Sequence, residues 1–90
     1  MEFEWDPKKA EQNLRKHEVE FVDAVIVFDD DRAITLEDEH ASEERYLTFG
    51  LDAQDRVLAV SYALRGSIIR IISARKATRR EQAQYEDKRI

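Results

Sequence analysis

At 90 residues the chain is long enough for one small domain, with 42% hydrophobic residues to build a core and 39% charged residues to cover it. The absence of cysteine excludes disulfides and thiolate metal sites, and two glycines and one proline argue against a fibrous or low-complexity chain. No apolar run is long enough to cross a bilayer, and Met1–Trp5 does not read as a secretory leader, so the expectation is a cytoplasmic protein without membrane contact.

Phe3-Glu4-Trp5 alternates and reads as a short strand. Asp6-Pro7 reads as a helix start, with Asp as N-cap and Pro at the first helical position. The helix is expected to run to Lys16 or His17, on a thin apolar stripe of Ala10 and Leu14 flanked by Asn13 and His17. Phe21–Phe28 has strand propensity, yet Phe21, Ala24, Val25 and Phe28 repeat at helical spacing and Asp23 would interrupt a buried strand, so a short helix is expected. Asp29-Asp30-Asp31 closes it in a turn.

Four strands are expected next, over Ala33–Asp38, Arg45–Leu51, Arg56–Leu64 and Ser67–Ala74. Within Arg45–Leu51 one face holds Arg45, Leu47, Phe49 and Leu51, and the other holds Tyr46, Thr48 and Gly50, which is expected to be the open one. Short connectors at Asp52–Asp55 and Arg65-Gly66 predict antiparallel hairpins. Thr78 and Glu81 form a capping box that opens a final helix to about Lys88. The expected architecture is α+β: an antiparallel sheet of about four to five strands, two N-terminal helices on one face and a C-terminal helix, as one domain over residues 1–90.

Charge is unevenly spread. Residues 1–64 carry 17 acids and 7 bases, whereas residues 65–90 carry 8 bases and 3 acids. Anions are therefore expected to meet the C-terminal end. Arg70 interrupts an apolar strand, so it faces either a carboxylate or an open cleft. Arg75, Lys76, Arg79 and Arg80 crowd the start of the last helix, whose free N–H groups would help to cradle phosphate. Internal pairing with the acidic half is the competing reading. On the first helix Lys9, Asn13 and His17 follow one stripe, with Lys9 and His17 about 12 Å apart along the axis and Asn13 and His17 about 6 Å apart. Asp38, His40 and Glu44 have weak metal-ligand spacing, so no metal and no cofactor are expected.

Taken together, Phe3-Glu4-Trp5-Asp6, Lys9, Asn13, Lys16-His17, Phe21, Ala24 and Val27-Phe28-Asp29 resemble the N-terminal signature of the BrnT family. Arg45–Gly50, Arg70–Glu81 and Tyr85 resemble its C-terminal signature. The resemblance implies a RelE-like fold, metal-independent RNA cleavage and a toxin's place in a type II toxin–antitoxin pair. It also implies a BrnA-like ribbon-helix-helix antitoxin, through which alone the toxin would reach operator DNA. Cleavage needs a base for the 2′-OH, cations for the phosphorane and a proton donor for the leaving 5′-oxygen. Arg70 and Arg75 are expected to carry charge and His17 to titrate near neutrality. Lys76, Arg79, Arg80 and Arg65 would bind RNA phosphate, with Lys9, Asn13, Glu81 and Tyr85 in support. The rival reading is a non-catalytic module within an autoregulatory antitoxin–DNA complex. The antitoxin is expected on the basic C-terminal face.

Overall fold

A computed structural model describes residues 1–39 and 42–87. His40 and Lys88, named above, lie outside the described residues. The elements are β1 (Glu2–Glu4), α1 (Pro7–His17), α2 (Phe21–Ala24), a 3-10 segment (Val25–Asp29), β2 (Ile34–Glu37), β3 (Arg45–Leu51), β4 (Val57–Arg65), β5 (Ile68–Lys76) and α3 (Arg79–Asp87). The Asp6 side chain caps α1 by accepting from the Lys8 N–H at 2.8 Å. Glu18 ends the helix in the left-handed conformation, φ 59°, with its N–H donating to the Leu14 carbonyl.

One sheet runs β1-β5-β4-β3-β2. The expected all-antiparallel sheet is corrected here: β1 pairs parallel with β5, Glu2 opposite Ile68 and Glu4 opposite Arg70. Direction follows from what comes next. A chain leaving β1 parallel to β5 delivers α1 to the stretch of β5 beyond Arg70 that β1 does not reach. There Asn13, the buried residue of α1, replaces a strand. Its Nδ2 donates to the Ala74 carbonyl at 2.7 Å and to the Val19 carbonyl at 3.0 Å, and its Oδ1 accepts from the Ala74 N–H at 3.1 Å.

The main core lies on one sheet face. Val19, Phe21, Ala24 and Val27 cover Leu58, Val60 and Tyr62 of β4 and Ile69, Ile71 and Ala74 of β5. Phe28 links the rings, lying edge-on to Tyr62 at 4.9 Å and tilted against Phe3 at 5.3 Å. This is the face expected to be open. Thr48 and Gly50 are buried, and Tyr46 stacks on Tyr62 at 5.8 Å. Gly50 has a steric reason: a Cβ there would lie 2.8 Å from Cγ1 of Val27. The more open face is the other one. Only its β3 end is covered, by Tyr85 of α3 over Phe49 and Ala59. The helices therefore divide between the two faces instead of sharing one.

The β4–β5 ladder carries an irregularity that the alternation did not predict. Ser61 pairs with Ser73, but Tyr62 pairs with Ile71, leaving Ile72 as an extra residue. Expected alternation puts Arg70 beside Ile72 and opposite to Arg75. With the bulge, Arg70 stands opposite Ala63, Ser73 opposite Ser61 and Arg75 opposite Ala59. Residues 59, 61 and 63 share one face, so Arg70, Ser73 and Arg75 share it too.

The turn before β4 is held by Asp52. Its buried carboxylate accepts from the Gln54 and Arg56 N–H groups and from two guanidinium nitrogens of Arg56, at 2.9 and 2.7 Å. Arg56 also donates to the Glu18 carbonyl at 3.3 Å, tying this turn to the end of α1.

Asn13→Ala leaves both backbone groups of Ala74 without their partner. The expected loss is about 2–4 kcal/mol of unfolding free energy in a denaturant titration. Ala74 amide exchange should accelerate by more than that global loss accounts for.

Candidate active site

Five residues of α1 form one stripe at i, i+3, i+4, i+7 and i+8: Lys9, Gln12, Asn13, Lys16 and His17. In an ordinary amphipathic helix this spacing holds the apolar residues. Here Asn13 turns inward to β5, and the other four border a cavity of about 230 Å³ closed by Ile72 and Ser73. Among the described residues no carboxylate lines this cavity. Among the described residues, Lys9, Lys16 and His17 form no ion pair. The basic residues Arg15, Lys16 and His17 also occupy the last turn of α1, where the helix dipole favours cations.

Ser73 joins this cavity to the cationic strand. It lines the cavity and lies between Arg70 and Arg75 on the same sheet face. Of the expected residues, His17, Lys9 and Asn13 thus meet at one place. Lys16, Gln12 and Ser73 belong with them and were missed, although the i, i+3, i+4, i+7, i+8 pattern was present in the sequence.

The two arginines are already engaged. Arg70, 30% exposed, forms an ion pair with Glu4 across the parallel β1–β5 pair. Arg75 binds Glu81 in a fork, at 2.7 and 3.0 Å. Glu81 is doubly used, since it also accepts from the Thr78 N–H at 2.9 Å while its own N–H donates to the Thr78 hydroxyl at 3.2 Å. The expected capping box is therefore present, and its carboxylate occupies the α3 N-terminus where phosphate was expected. The Arg75 hydrogen bonds, reinforced by the Thr78 N–H, outweigh burial and hold the Glu81 carboxyl down at about 2.

Tyr85 lies away from solvent, its ring in the second core and its hydroxyl donating to Asp30 at 2.6 Å. Burial pushes the Asp30 carboxyl up, but hydrogen bonds from Tyr85 and from the Leu51 and Arg32 N–H groups prevail and lower it. Lys76, Arg79 and Arg80 are exposed around the start of α3. Arg65 stands at the far end of β4, 3.8 Å from Glu43. The Asp38, His40 and Glu44 combination includes a residue outside the described ones. Among the described residues no group of three or more potential metal ligands converges.

A cavity lined by two lysines and an imidazole, beside a strand that presents two guanidiniums, is suited to a phosphodiester. The ammonium groups can neutralise its oxygens and the imidazole can exchange a proton with it. Comparisons with known proteins bear on which phosphodiester. A family model described as the ribonuclease toxin, BrnT, of type II toxin–antitoxin systems matches residues 5–81. The crystal structure of the Brucella abortus ribonuclease toxin BrnT is similar in fold, with a TM-score of 0.71 at 24% identity, over 88% of this chain and 99% of that one. No curated protein matches the sequence.

The Glu81 carboxyl has a pH signature. Its folded value, about 2, lies below the ordinary 4.5, so its contribution to stability is complete above pH 4.5 and is lost as pH falls towards 2. Glu81→Gln should cost about 1–2 kcal/mol at pH 7. The gap between variant and parent should close on acidification, in urea titrations run from pH 7 to pH 2.

Proposed function

The chain belongs to the BrnT family of ribonuclease toxins of type II toxin–antitoxin systems, and from that premise we propose that it cleaves RNA, without a metal ion, in the cavity between α1 and β5. The observation that carries the reading is the lining of that cavity, Lys9, Lys16 and His17 around Ser73 with no carboxylate among the described residues.

His17 accepts the proton of the ribose 2′-OH, which attacks the adjacent phosphorus. Imidazole is suited to this because its ordinary titration range spans neutrality. Lys9, Lys16 and Arg70 stabilise the charge that grows on the phosphorane oxygens. As the P–O bond to the leaving 5′-oxygen breaks, a lysine ammonium bordering the cavity returns a proton to it. Arg75 is held by Glu81 and helps to set the charge of the face. Exposed Lys76, Arg79 and Arg80 hold flanking phosphates, Arg65 meets a more distant one, and Asn13 fixes α1 against the strand. Glu81 and Tyr85 support the site through the α3 junction, each already hydrogen-bonded there.

The reading extends to a RelE-like classification of the fold, a cytoplasmic location and growth arrest on expression. The partner is a BrnA-like ribbon-helix-helix antitoxin, through which alone the toxin meets operator DNA. A second reading has one observation in its favour. Both central arginines are paired with carboxylates, as in a non-catalytic module serving only an antitoxin–DNA complex.

His17→Ala and Lys16→Ala separate the two. Under the catalytic reading His17→Ala slows RNA cleavage by at least about 100-fold while the melting temperature moves by only a few degrees. A fall in melting temperature with cleavage intact would make His17 a helix-end residue and favour the second reading.

Cleavage should persist in excess EDTA. Activity lost to the chelator and restored by magnesium would instead assign a metal to the acidic segment around Asp38 and Glu44. Expression of the chain alone should arrest growth, and co-expression of the neighbouring reading frame should relieve it.

A further inference from the structure

The sheet has two edges, and they differ. β1 is three residues long and carries Glu2 and Glu4. β2 closes the other edge with β3 on one side only. The Asp38 N–H donates to the Arg45 carbonyl at 2.9 Å, so Asp38 turns its backbone inward. Strand periodicity then turns Leu36 and Ile34 inward as well, leaving the N–H and C=O groups of Thr35 and Glu37 facing outward. Such a row is a template for one more strand.

Side chains beside this edge provide a seat. Leu36 is 44% exposed. With Glu37, Asp38, Tyr46, Leu47 and Ser61 it lines a groove of about 280 Å³. The charge at the groove is negative: Glu37 and Asp38 line it and Glu44 lies close to Tyr46, while Glu43 is paired with Arg45 and Arg65. The Glu44 carboxylate, followed by burial and by Glu37, pushes the Tyr46 hydroxyl up, as expected in a negative field. A second copy of the chain is a poor occupant, because the same acids would face one another. An extended segment rich in Lys and Arg fits both the open backbone and the charge.

We propose that β2 is an antitoxin-docking edge, to which a basic, extended segment of the antitoxin adds as a sixth strand, seating an apolar side chain beside Leu36. This rests on the toxin–antitoxin reading above, and it adds a site at the sheet edge opposite β1. β3 and β4 lie between this edge and β5, and the groove reaches inward to Ser61, the ladder partner of Ser73 in the α1–β5 cavity, so one antitoxin chain can hold the edge while another part of it covers the cations.

The test uses the whole chain, isotope-labelled, with the purified product of the neighbouring reading frame. The Thr35 and Glu37 amides should gain protection from hydrogen exchange in the complex. Glu37→Lys should raise Kd by about tenfold and weaken its salt dependence. Thr35→Pro, which removes an outward donor, should raise Kd similarly while RNA cleavage by the free toxin is retained. The exchange measurement needs no variant and stands even if Thr35→Pro fails to fold. Binding with both amides exchanging at their free rates overturns the docking edge but not the antitoxin reading. Failure of the neighbouring product to bind at all overturns both. Protection that grows with the toxin's own concentration assigns the edge to a second copy and overturns the proposal.

Discussion

The placement of α1 depends on one side chain that imitates a strand. β1 covers β5 only as far as Arg70, and a sheet edge left bare beyond that point would hold a buried, unpaired peptide group at Ala74. Asn13 presents an acceptor and a donor in the spacing of a peptide: its Oδ1 accepts from the Ala74 N–H and its Nδ2 donates to the Ala74 carbonyl. That contact, more than apolar burial, fixes the helix. Leu14 is 42% exposed, and Asn13 is the only residue of α1 that is fully buried. The cavity follows from it: a helix docked through a polar side chain can keep lysine and histidine on the stripe beside the strand, where a helix docked through leucines could not.

The same economy of polar contacts governs the arginines. Arg70 and Arg75 lie on a half-covered face, where an unpaired guanidinium would be costly, and Glu4 and Glu81 relieve it. A phosphate arriving on this face meets arginines already occupied. It competes with a carboxylate held in place by its own second duty, since Glu81 also caps α3. Lys9, Lys16 and His17 of α1 form no such pair among the described residues. The electrostatic work of binding thus falls first on the helix, although the strand carries the more conspicuous charges.

Much of this was legible in the residues. Asp6-Pro7, the clean alternation of Arg45–Leu51 and the Thr78–Glu81 box are local signals, and each element appears where its signal stands. What local signals do not carry is which neighbour an element meets. The alternation of β3 identified two faces but not which of them the N-terminal segments would cover; Gly50, small enough for Val27 to approach, was the available clue. The direction of β1 depends on a contact 61 residues away in sequence. The link between Asp52 and Arg56, and from there to Glu18, left no mark in the pattern, because any short polar turn would have read the same. Half of the site was legible: His17, Lys9 and Asn13 were identified from their stripe. Ser73 was not, because only the bulge at Ile72 brings it to the side of Arg70.

The bulge at Ile72 turns a question of residue type into one of residue number. Arg70 and Arg75 are five positions apart, an odd interval, and an unbroken strand would point them in opposite directions. One surplus residue restores agreement between them. The pairing of guanidiniums on this face is thus written in the length of the segment between them as much as in their identity. A relative that lacked one residue there could keep every arginine and still lose the arrangement, while one that lacked an arginine could preserve the geometry intact. Among such chains, the spacing from Arg70 to Arg75 is a more discriminating label for this surface than the count of its basic residues.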